Sequence, residues 1–466
     1  MSQLTLSSID SSLVEQISAK KNEPDWLKEY RKNSLSVYHD LPQEVSPLYN
    51  KYTDARRMNP EQVSLSLDSD SSIPDFLTKR LDEIKNETSI VQIGSNIHST
   101  NVQDELKSKG LIISSLDDAL EDHSKLIQKT LEGSNSKEDK YTALNNAAFN
   151  SGIFIYIPQN MIIDKPIHLI TCLSLDRIST ISRNIIVAEK NTQASIVQEL
   201  YAPKTSKQQA YLELLNTSIG ENTKLNFTTM QIMDQSTVNF STRSTSLAQD
   251  AKINWYIGLF GAMLSRYRIS YHLNGTGASV NDAEVIFGNN DQSFDLNTIV
   301  NHNAQSTEGK VVEKSILKDT SKSLFKGMIR INEQAAHSNS FLSGRSILLS
   351  KGAKSDSIPG LEIFTNDVKA THSASVAQLD DEQIFYLGTR CLSYSEAERI
   401  IIEGFLEPLS RTMAFQVRAW IANIIESKWT NKELTINMDE QLKSVIEVEE
   451  TRYNENEEVE QHYKYR

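Results

Sequence analysis

A loose internal repeat is the feature of this sequence that most restricts its fold. Four similar segments begin at Ala194, Thr223, Ala251 and Ala278, at intervals of 29, 28 and 27 residues, and each follows a polar or glycine-containing turn. A repeat of this length is typical of solenoids and propellers, in which one unit buries its apolar face only when a neighbour stacks on it. The pattern favours a β-helix. A β-sandwich is the alternative, because it also has short strands separated by regular turns.

Changes in composition along the 466 residues predict four segments. Residues 1–140 form a helical or mixed domain, and residues 141–375 form the β-helix core. Helical signals return in residues 376–440, where Asp380 or Asp381 can cap one helix and Ser393 with Glu396 forms a capping box for the next. Residues 441–466 form an acidic tail.

Charge and apolar patterning exclude several classes of protein. The 48 basic and 61 acidic residues give a formal charge of −13, which argues against nucleic acid as the main partner. The sequence has no apolar run of about 18 residues, so no membrane span is expected. Its first residues lack the features of a secretory signal, which predicts a cytoplasmic protein. Cys172 and Cys391 are too distant in sequence to suggest a CxxC metal site.

Few residues stand out as candidates for chemistry. The sequence contains neither a phosphate-binding loop nor an HExxH motif, and the nine histidines are dispersed. His372 differs from the others, because it lies in a segment of small residues, 367–376, between the last β-run and the C-terminal helices. A neutral imidazole at such a position is a suitable ligand for iron. The alternative is a histidine that hydrogen-bonds within a turn.

The same region carries a resemblance to a known family. The segments concerned are Leu348-Leu-Ser350, Ile358-Pro-Gly-Leu-Glu-Ile363, Asn366-Asp-Val-Lys369, His372, Gln378-Leu-Asp380 and Gln383-Ile-Phe-Tyr-Leu387. Together they resemble the core signature of the SufB/SufD family of iron–sulfur cluster assembly proteins, in a form closer to SufD. Weaker similarity extends back to Trp26-Leu-Lys-Glu-Tyr-Arg31, near the amino terminus.

The resemblance implies a right-handed parallel β-helix flanked by N-terminal and C-terminal helical domains. It also implies a non-catalytic subunit of a scaffold complex with a SufB homologue and the SufC ATPase, with a homodimer as a further possibility. In that complex His372 would offer a ligand to iron or to a transient cluster shared with SufB, and no cofactor would be held permanently. Where SufD proteins often have a cysteine two residues before this histidine, the present chain has Ala370.

The resemblance further implies that the C-terminal helices bind SufC. Candidate anchor residues are Phe385, Tyr386, Leu387 and Phe405, and the alternative is that these side chains form the internal core of a small helical domain. Two other functions stay open at this point. One is a SufB-type scaffold that carries the cluster itself, although the SufB cysteine positions are not cysteine here. The other is a β-helix carbohydrate-active enzyme, for which acidic side chains would cluster along one face of the solenoid.

Overall fold

The structure, a computed structural model, describes residues 4–42, 57–65, 72–133, 139–175, 178–410 and 415–429. The described residues form two compact units. The first draws on Met1–Pro74 and Ile84–Leu379, and the second on Asp75–Glu83 and Asp380–Arg466. The acidic tail expected at 441–466 lies outside the described residues.

The first unit is dominated by two β-sheets whose strands alternate along the chain. In spatial order, sheet 1 contains β5 (Ile112–Ser115), β6 (Ile153–Ile157), β8 (Thr180–Ala188), β10 (Gln209–Ile219), β12 (Thr237–Leu247), β14 (Leu264–Leu273), β16 (Ser293–His302), β18 (Lys322–Ile331) and β20 (Lys354–Ile363). Sheet 2 contains β4 (Asn96–Asn101), β3 (Ser89–Ile93), β7 (Ile167–Cys172), β9 (Gln193–Ala202), β11 (Lys224–Met233), β13 (Lys252–Leu259), β15 (Ser279–Gly288), β17 (Glu308–Leu317), β19 (Asn339–Leu348) and β21 (Lys369–Gln378).

From β6 onward, every pairing within the two sheets is parallel, and each strand pairs with the strand one turn later. The eight strand pairs from β6 and β7 to β20 and β21 therefore form a parallel β-solenoid of about eight turns. This confirms the predicted β-helix. It also excludes the β-sandwich, whose sheets are antiparallel.

The strand register agrees with most of the sequence repeat. Lys224 pairs with Lys252 and Lys252 pairs with Ser279, which reproduces the intervals of 28 and 27 residues. The first interval was wrong by two residues, because Ala194 pairs with Leu225 rather than with Thr223. A shift of two residues keeps every side chain on the same face of a strand, so the apolar pattern alone did not reveal it.

Asparagine side chains form a ladder at one corner of the solenoid. Asn160, Asn191, Asn222 and Asp250 occupy equivalent places in successive turns, and all have positive φ angles between 53° and 62°. Asparagine and aspartate tolerate this left-handed conformation better than most residues. The Asn191 amide donates to Oδ1 of Asn160 at 2.9 Å, and the Asn222 amide donates to Oδ1 of Asn191 at 3.0 Å. These hydrogen bonds therefore hold the corner residues of successive turns in the same position.

Four helices of the first unit pack on the outer face of sheet 1, namely α1 (Ser11–Lys20), α2 (Asp25–Asp40), α5 (Leu116–Glu132) and α6 (Lys140–Ala148). The short α4 (Asp104–Ser108) follows β4 of sheet 2, and its Leu106 packs against the core cluster inside the solenoid. The unit also has a 3-10 turn at Leu6–Ser8 and a short antiparallel pair of β1 (Leu4–Thr5) and β2 (Ser64–Leu65). Apolar side chains of α1, α2, α5 and α6 share one core cluster with residues of β8, β10 and β12. The Asn145 amide on α6 donates to the backbone oxygens of Ser182 and Leu212, at 2.9 and 3.2 Å.

A fully buried ion pair joins α2 to this core. Arg31 donates to both carboxylate oxygens of Glu23, at 2.6 and 2.8 Å, and both side chains have no exposed surface. The guanidinium also donates to the backbone oxygen of Ala147 and lies 3.6 Å from the ring centroid of Phe149. The arginine of the amino-terminal segment 26–31 therefore connects α2 to α6 and to the residue after it.

The second unit consists of α3 (Asp75–Ile84), whose residues 75–83 belong to it, together with α7 (Asp381–Gly388), α8 (Tyr394–Ser410) and α9 (Phe415–Trp429). The predicted caps are present: Asp380 accepts from the Glu382 N–H, and Ser393 and Glu396 hydrogen-bond each other's backbone N–H. The Arg80 guanidinium of α3 lies 5.2 Å from the ring centroid of the buried Trp420. Among the described residues, no helix is both long and apolar enough to cross a bilayer.

Candidate functional site

The two ends of the solenoid differ in how their strands finish. At one end, β5 and β4 reverse direction and pair antiparallel with β6 and β3. We call β3 to β6 the closed end. At the other end, β20 pairs with β18 and β21 pairs with β19, and no further described strand follows on their outer edges. We call β20 and β21 the open end.

Apolar side chains are exposed at or beside the open end. Leu361 and Ile363 pair with the core residues Ile329 and Ile331, so they occupy inward-facing positions of β20. Nevertheless Ile363 is 41% exposed, Val376 on β21 is 44% exposed, and Phe364 after β20 is 58% exposed. The apolar columns of the solenoid thus continue to its last turn and remain uncovered there. Exposed strand edges with apolar residues are typical of surfaces that pair with another chain.

His372 lies on β21 at the open end. Its strand neighbour is Leu342, whose own neighbour is Val311, and both of these side chains belong to the core. His372 therefore continues an inward-facing column, but its side chain is exposed because the solenoid ends there. Neither ring nitrogen hydrogen-bonds to another described residue, whereas the adjacent Ser373 donates to Ser343 at 2.9 Å. This imidazole is accessible at the end of the solenoid and is not engaged in a turn.

The four candidate anchors in the C-terminal helices have different exposures. On α7, Phe385 is 74% exposed and Tyr386 is 58% exposed, and the Arg390 guanidinium lies 5.2 Å from the ring centroid of Tyr386. Leu387 and, on α8, Phe405 are half-buried. The unit thus presents two aromatic side chains to solvent next to a core that includes Ile384.

The two cysteines lie in different environments. Cys172 is fully buried at the end of β7, and burial raises the pKa of its thiol to about 12. Cys391 is exposed between α7 and α8, with a φ angle of 66°. Within the part of the chain that the structure describes, no three His, Cys, Asp or Glu side chains are arranged to hold a metal ion. His372 is thus a single potential ligand in its surroundings.

A network of polar side chains lies inside the solenoid, and the sequence pattern did not predict it. Arg243 on β12 donates to Glu213 on β10 at 2.9 Å, and neither side chain has exposed surface. Burial alone raises the pKa of Glu213, but the Arg243 charge and donors that include Ser241 and Gln198 lower it overall. In each strand, inward-facing positions alternate with outward-facing ones. The pairing register of β10 with β12 would therefore have shown that both side chains point into the interior.

The carbohydrate-enzyme alternative predicted acidic side chains clustered along one face of the solenoid. A groove of about 450 Å³ does run across the start of β11 to β19, but the charged residues that line it are Lys224, Lys252, Lys310 and a single carboxylate, Glu308. Most of the acidic side chains that the strands bring close together are inside the solenoid, where a sugar chain cannot reach them. The geometry thus does not favour an acid/base pair on this surface.

Comparison with known proteins agrees with this architecture. A family model described as SUF system FeS cluster assembly, SufBD core domain, matches residues 172–405, and a model of the SufBD N-terminal region matches residues 15–169. The iron-sulfur cluster assembly protein SufD of Bacillus subtilis (strain 168) is 28% identical over 429 residues, which cover 90% of this chain and 98% of that protein. An iron-sulfur cluster assembly SufBD family protein of Staphylococcus aureus (strain USA300) is 25% identical over 90% of this chain and 92% of the relative. The chain therefore belongs to the SufB/SufD family of iron–sulfur cluster assembly proteins.

Proposed function

We propose that this chain is a SufD-like, non-catalytic subunit of a scaffold complex, in which its open end binds a SufB homologue. The open end carries this proposal, because it combines exposed apolar side chains with two strand edges on which no other described strand pairs. A partner with a similar solenoid end would satisfy the free N–H and C=O groups and cover Ile363 and Val376. A second copy of this chain offers the same complementarity, so the homodimer is the competing occupant.

The position of His372 supports a role as a ligand at that interface. Its imidazole continues an inward-facing column, and a partner that extends the solenoid would enclose it. Neutral imidazole is a good ligand for iron, and the ring has no competing hydrogen bond within the described residues. An iron–sulfur cluster usually has about four protein ligands, most often cysteine thiolates, so the partner would have to supply the rest. The cluster or iron ion is then cargo that the complex assembles and passes on.

The exposed aromatic residues of α7 support a second contact, to the SufC ATPase. Phe385 and Tyr386 offer a large apolar area with a polar hydroxyl at its edge, a composition that is frequent at interface hot spots. Phe385→Asp tests this contact, with Gln383→Ala on the same exposed helix as the control. We expect the first variant to lose SufC while it retains SufB. Equal SufC retention by both variants would contradict the assignment.

The main experiment is co-purification of the chain with its SufB and SufC homologues, followed by anaerobic reconstitution with iron and sulfide and an absorbance spectrum. His372→Ala is compared with His98→Ala, which removes an exposed histidine at the closed end. We expect both variants to assemble and only His372→Ala to reduce the cluster absorbance. The same absorbance in both variants would remove the ligand role, and failure of the wild-type chain to bind SufB would remove the scaffold role.

The isolated chain distinguishes the SufB-type alternative. A scaffold that carries the cluster by itself would gain the cluster absorbance when it is reconstituted alone. We expect the isolated chain to remain colourless, because a single imidazole cannot replace four ligands. Sedimentation of the isolated chain then shows whether a homodimer covers the open end.

A further inference from the structure

Three carboxyl side chains meet inside the solenoid, between its middle and its open end. Asp282 and Glu284 lie two residues apart on β15, so both point to the interior, and Glu284 is the strand neighbour of Glu313 on β17. The three residues are between 0% and 1% exposed. Adjacent strands are about 5 Å apart, so three ionised carboxylates here would repel each other strongly in a medium without water.

The hydrogen bonds of these carboxyls are incomplete. The Tyr271 hydroxyl donates to Oδ2 of Asp282 at 2.8 Å, and the Thr298 hydroxyl donates to Oε1 of Glu284 at 2.6 Å. The second oxygens of Asp282 and Glu284, and both oxygens of Glu313, have no donor within hydrogen-bond distance and angle among the described residues. Glu284 nevertheless lies close enough to Asp282, and the Ser315 hydroxyl and Arg345 N–H lie close enough to Glu313, to act on the pKa values of these carboxyls. A buried ionised carboxylate without donors is very costly, whereas a protonated carboxyl is neutral and supplies its own donor.

Among the described residues, no cation lies close enough to neutralise the cluster. Arg243 is the cationic group that acts on Asp282, but its guanidinium is held by Glu213. From the neighbouring strands the cluster faces Tyr271 of β14, Thr298 of β16 and, near Glu313, the Ser315 hydroxyl and the Arg345 backbone N–H. Burial raises the pKa of Asp282 to about 7 and that of Glu313 to about 8. Burial and the neighbouring Asp282 also raise the pKa of Glu284.

A chain of hydroxyl groups leads from the cluster to the open end. Ser315 lies two residues after Glu313 on the same face of β17, and its Oγ is 2.6 Å from Oγ of Ser346 on β19. Oγ of Ser346 is in turn 2.7 Å from Oγ of Ser355. Ser315 and Ser346 are buried, but Ser355 lies on β20 and is half-exposed. A hydroxyl both donates and accepts, so such a chain can transfer a proton by successive hops.

We propose that Asp282, Glu284 and Glu313 form an internal proton-binding site, which the hydroxyls of Ser315, Ser346 and Ser355 connect to the open end. A proton leaves the Glu313 carboxyl for Oγ of Ser315, Ser315 passes its own proton to Oγ of Ser346, Ser346 passes its own to Oγ of Ser355, and Ser355 releases its own to solvent. Rotation of the hydroxyls restores the chain, so the carboxylate is the single group that has changed. The site supplies or takes up protons at the surface where the solenoid ends, whether or not His372 binds iron.

Infrared spectroscopy of the full chain tests the binding site, with the proton as the ligand. We expect the C=O stretching band of protonated carboxylic acids at pH 7 in the wild type, and a loss of part of this band in Glu313→Gln. Glu308→Gln is the matched control, because Glu308 lies on the same strand but is exposed, and it should leave the band unchanged. Circular dichroism establishes that each variant is folded. Identical bands in wild type, Glu313→Gln and Asp282→Asn, all folded, would overturn the site.

Deuterium exchange of the same band tests the connection. In heavy water the band shifts as deuterons replace the protons, and we expect Ser346→Ala to slow this shift by about tenfold, which corresponds to about 1.4 kcal/mol in the barrier. Ser323→Ala is the control, since Ser323 is buried on β18 and its hydroxyl has no hydrogen-bond partner among the described residues. A rate in Ser346→Ala equal to that of the wild type would overturn the connection.

Discussion

The closed and open ends of the solenoid differ in how their outermost strands end the sheets. At the closed end, β4 and β5 reverse the strand direction, and β4 presents a polar outer strand with the sequence Asn-Ile-His-Ser-Thr-Asn. At the open end, two strands of 10 residues each keep the parallel direction and carry exposed Ile363 and Val376. Terminal repeats of solenoids normally have a polar outer face. Within the part of the chain that the structure describes, one end of the core is thus completed and the other is left uncovered.

The largest expected difference is between the helices packed on sheet 1 and the open end, and it concerns their ion pairs. Arg31→Ala leaves Glu23 buried without its partner, so we expect a loss of about 3–5 kcal/mol in the free energy of unfolding. Near the open end, the pair of Arg330 and Glu362 is 42% and 41% exposed, and Arg330→Ala should cost roughly 0–1 kcal/mol. Urea unfolding of both variants gives the comparison, and equal losses would show that the buried pair beside α6 contributes no more than the exposed pair at the open end.

A second test concerns the pH dependence of the interior close to the open end. The pKa of Glu313 is raised from 4.5 in an unfolded chain to about 8. The folded protein then holds a proton that the unfolded chain releases, so stability is lost progressively as pH rises from 4.5 to about 8. Glu313→Gln cannot ionise and should show a flatter profile of stability against pH. Its control Glu308→Gln should follow the wild type, and a wild-type profile that does not fall over this range contradicts the raised pKa.

The smallest expected effect on the isolated chain comes from Val376→Lys at the open end. Because Val376 is already exposed, we expect its stability to change by less than about 0.5 kcal/mol. Affinity for the SufB homologue should fall by about tenfold or more, or about 1.4 kcal/mol, since the lysine would be placed in the interface. Ser375→Lys on the outward face of the same strand is the control. If both variants bind SufB equally well, the inward face of β21 is not part of the contact.

The sequence predicted those features that depend on local pattern. The repeat indicated the solenoid, and the capping residues Asp380 and Ser393 placed the starts of two C-terminal helices. It did not predict that residues 75–83 belong with those helices, because the contact of Arg80 with Trp420 joins positions far apart in the chain. The interior acids were also missed. A strand pattern shows which residues share a face, but the pairing of Glu284 with Glu313 requires the register.

For the site, the sequence indicated His372 through family resemblance and its small neighbours. It did not show that the imidazole continues an inward column that ends uncovered, since this depends on where the last strand pair stops. Phe385 and Leu387 looked equivalent as anchors in the sequence. Their exposures differ in the structure, because residues two positions apart on a helix point in different directions.

The spacing of the strand pairs has a consequence for biosynthesis. Each strand of the solenoid pairs with a strand that follows it by between 26 and 32 residues, so every turn closes a loop of similar, modest length. Short loops of this kind close quickly, and one turn provides the template for the next. On the ribosome, the end with β3 to β6 emerges first and the turns are added behind it. The open end is then the last part of the solenoid to be synthesised, so it becomes exposed only when the preceding turns are already folded.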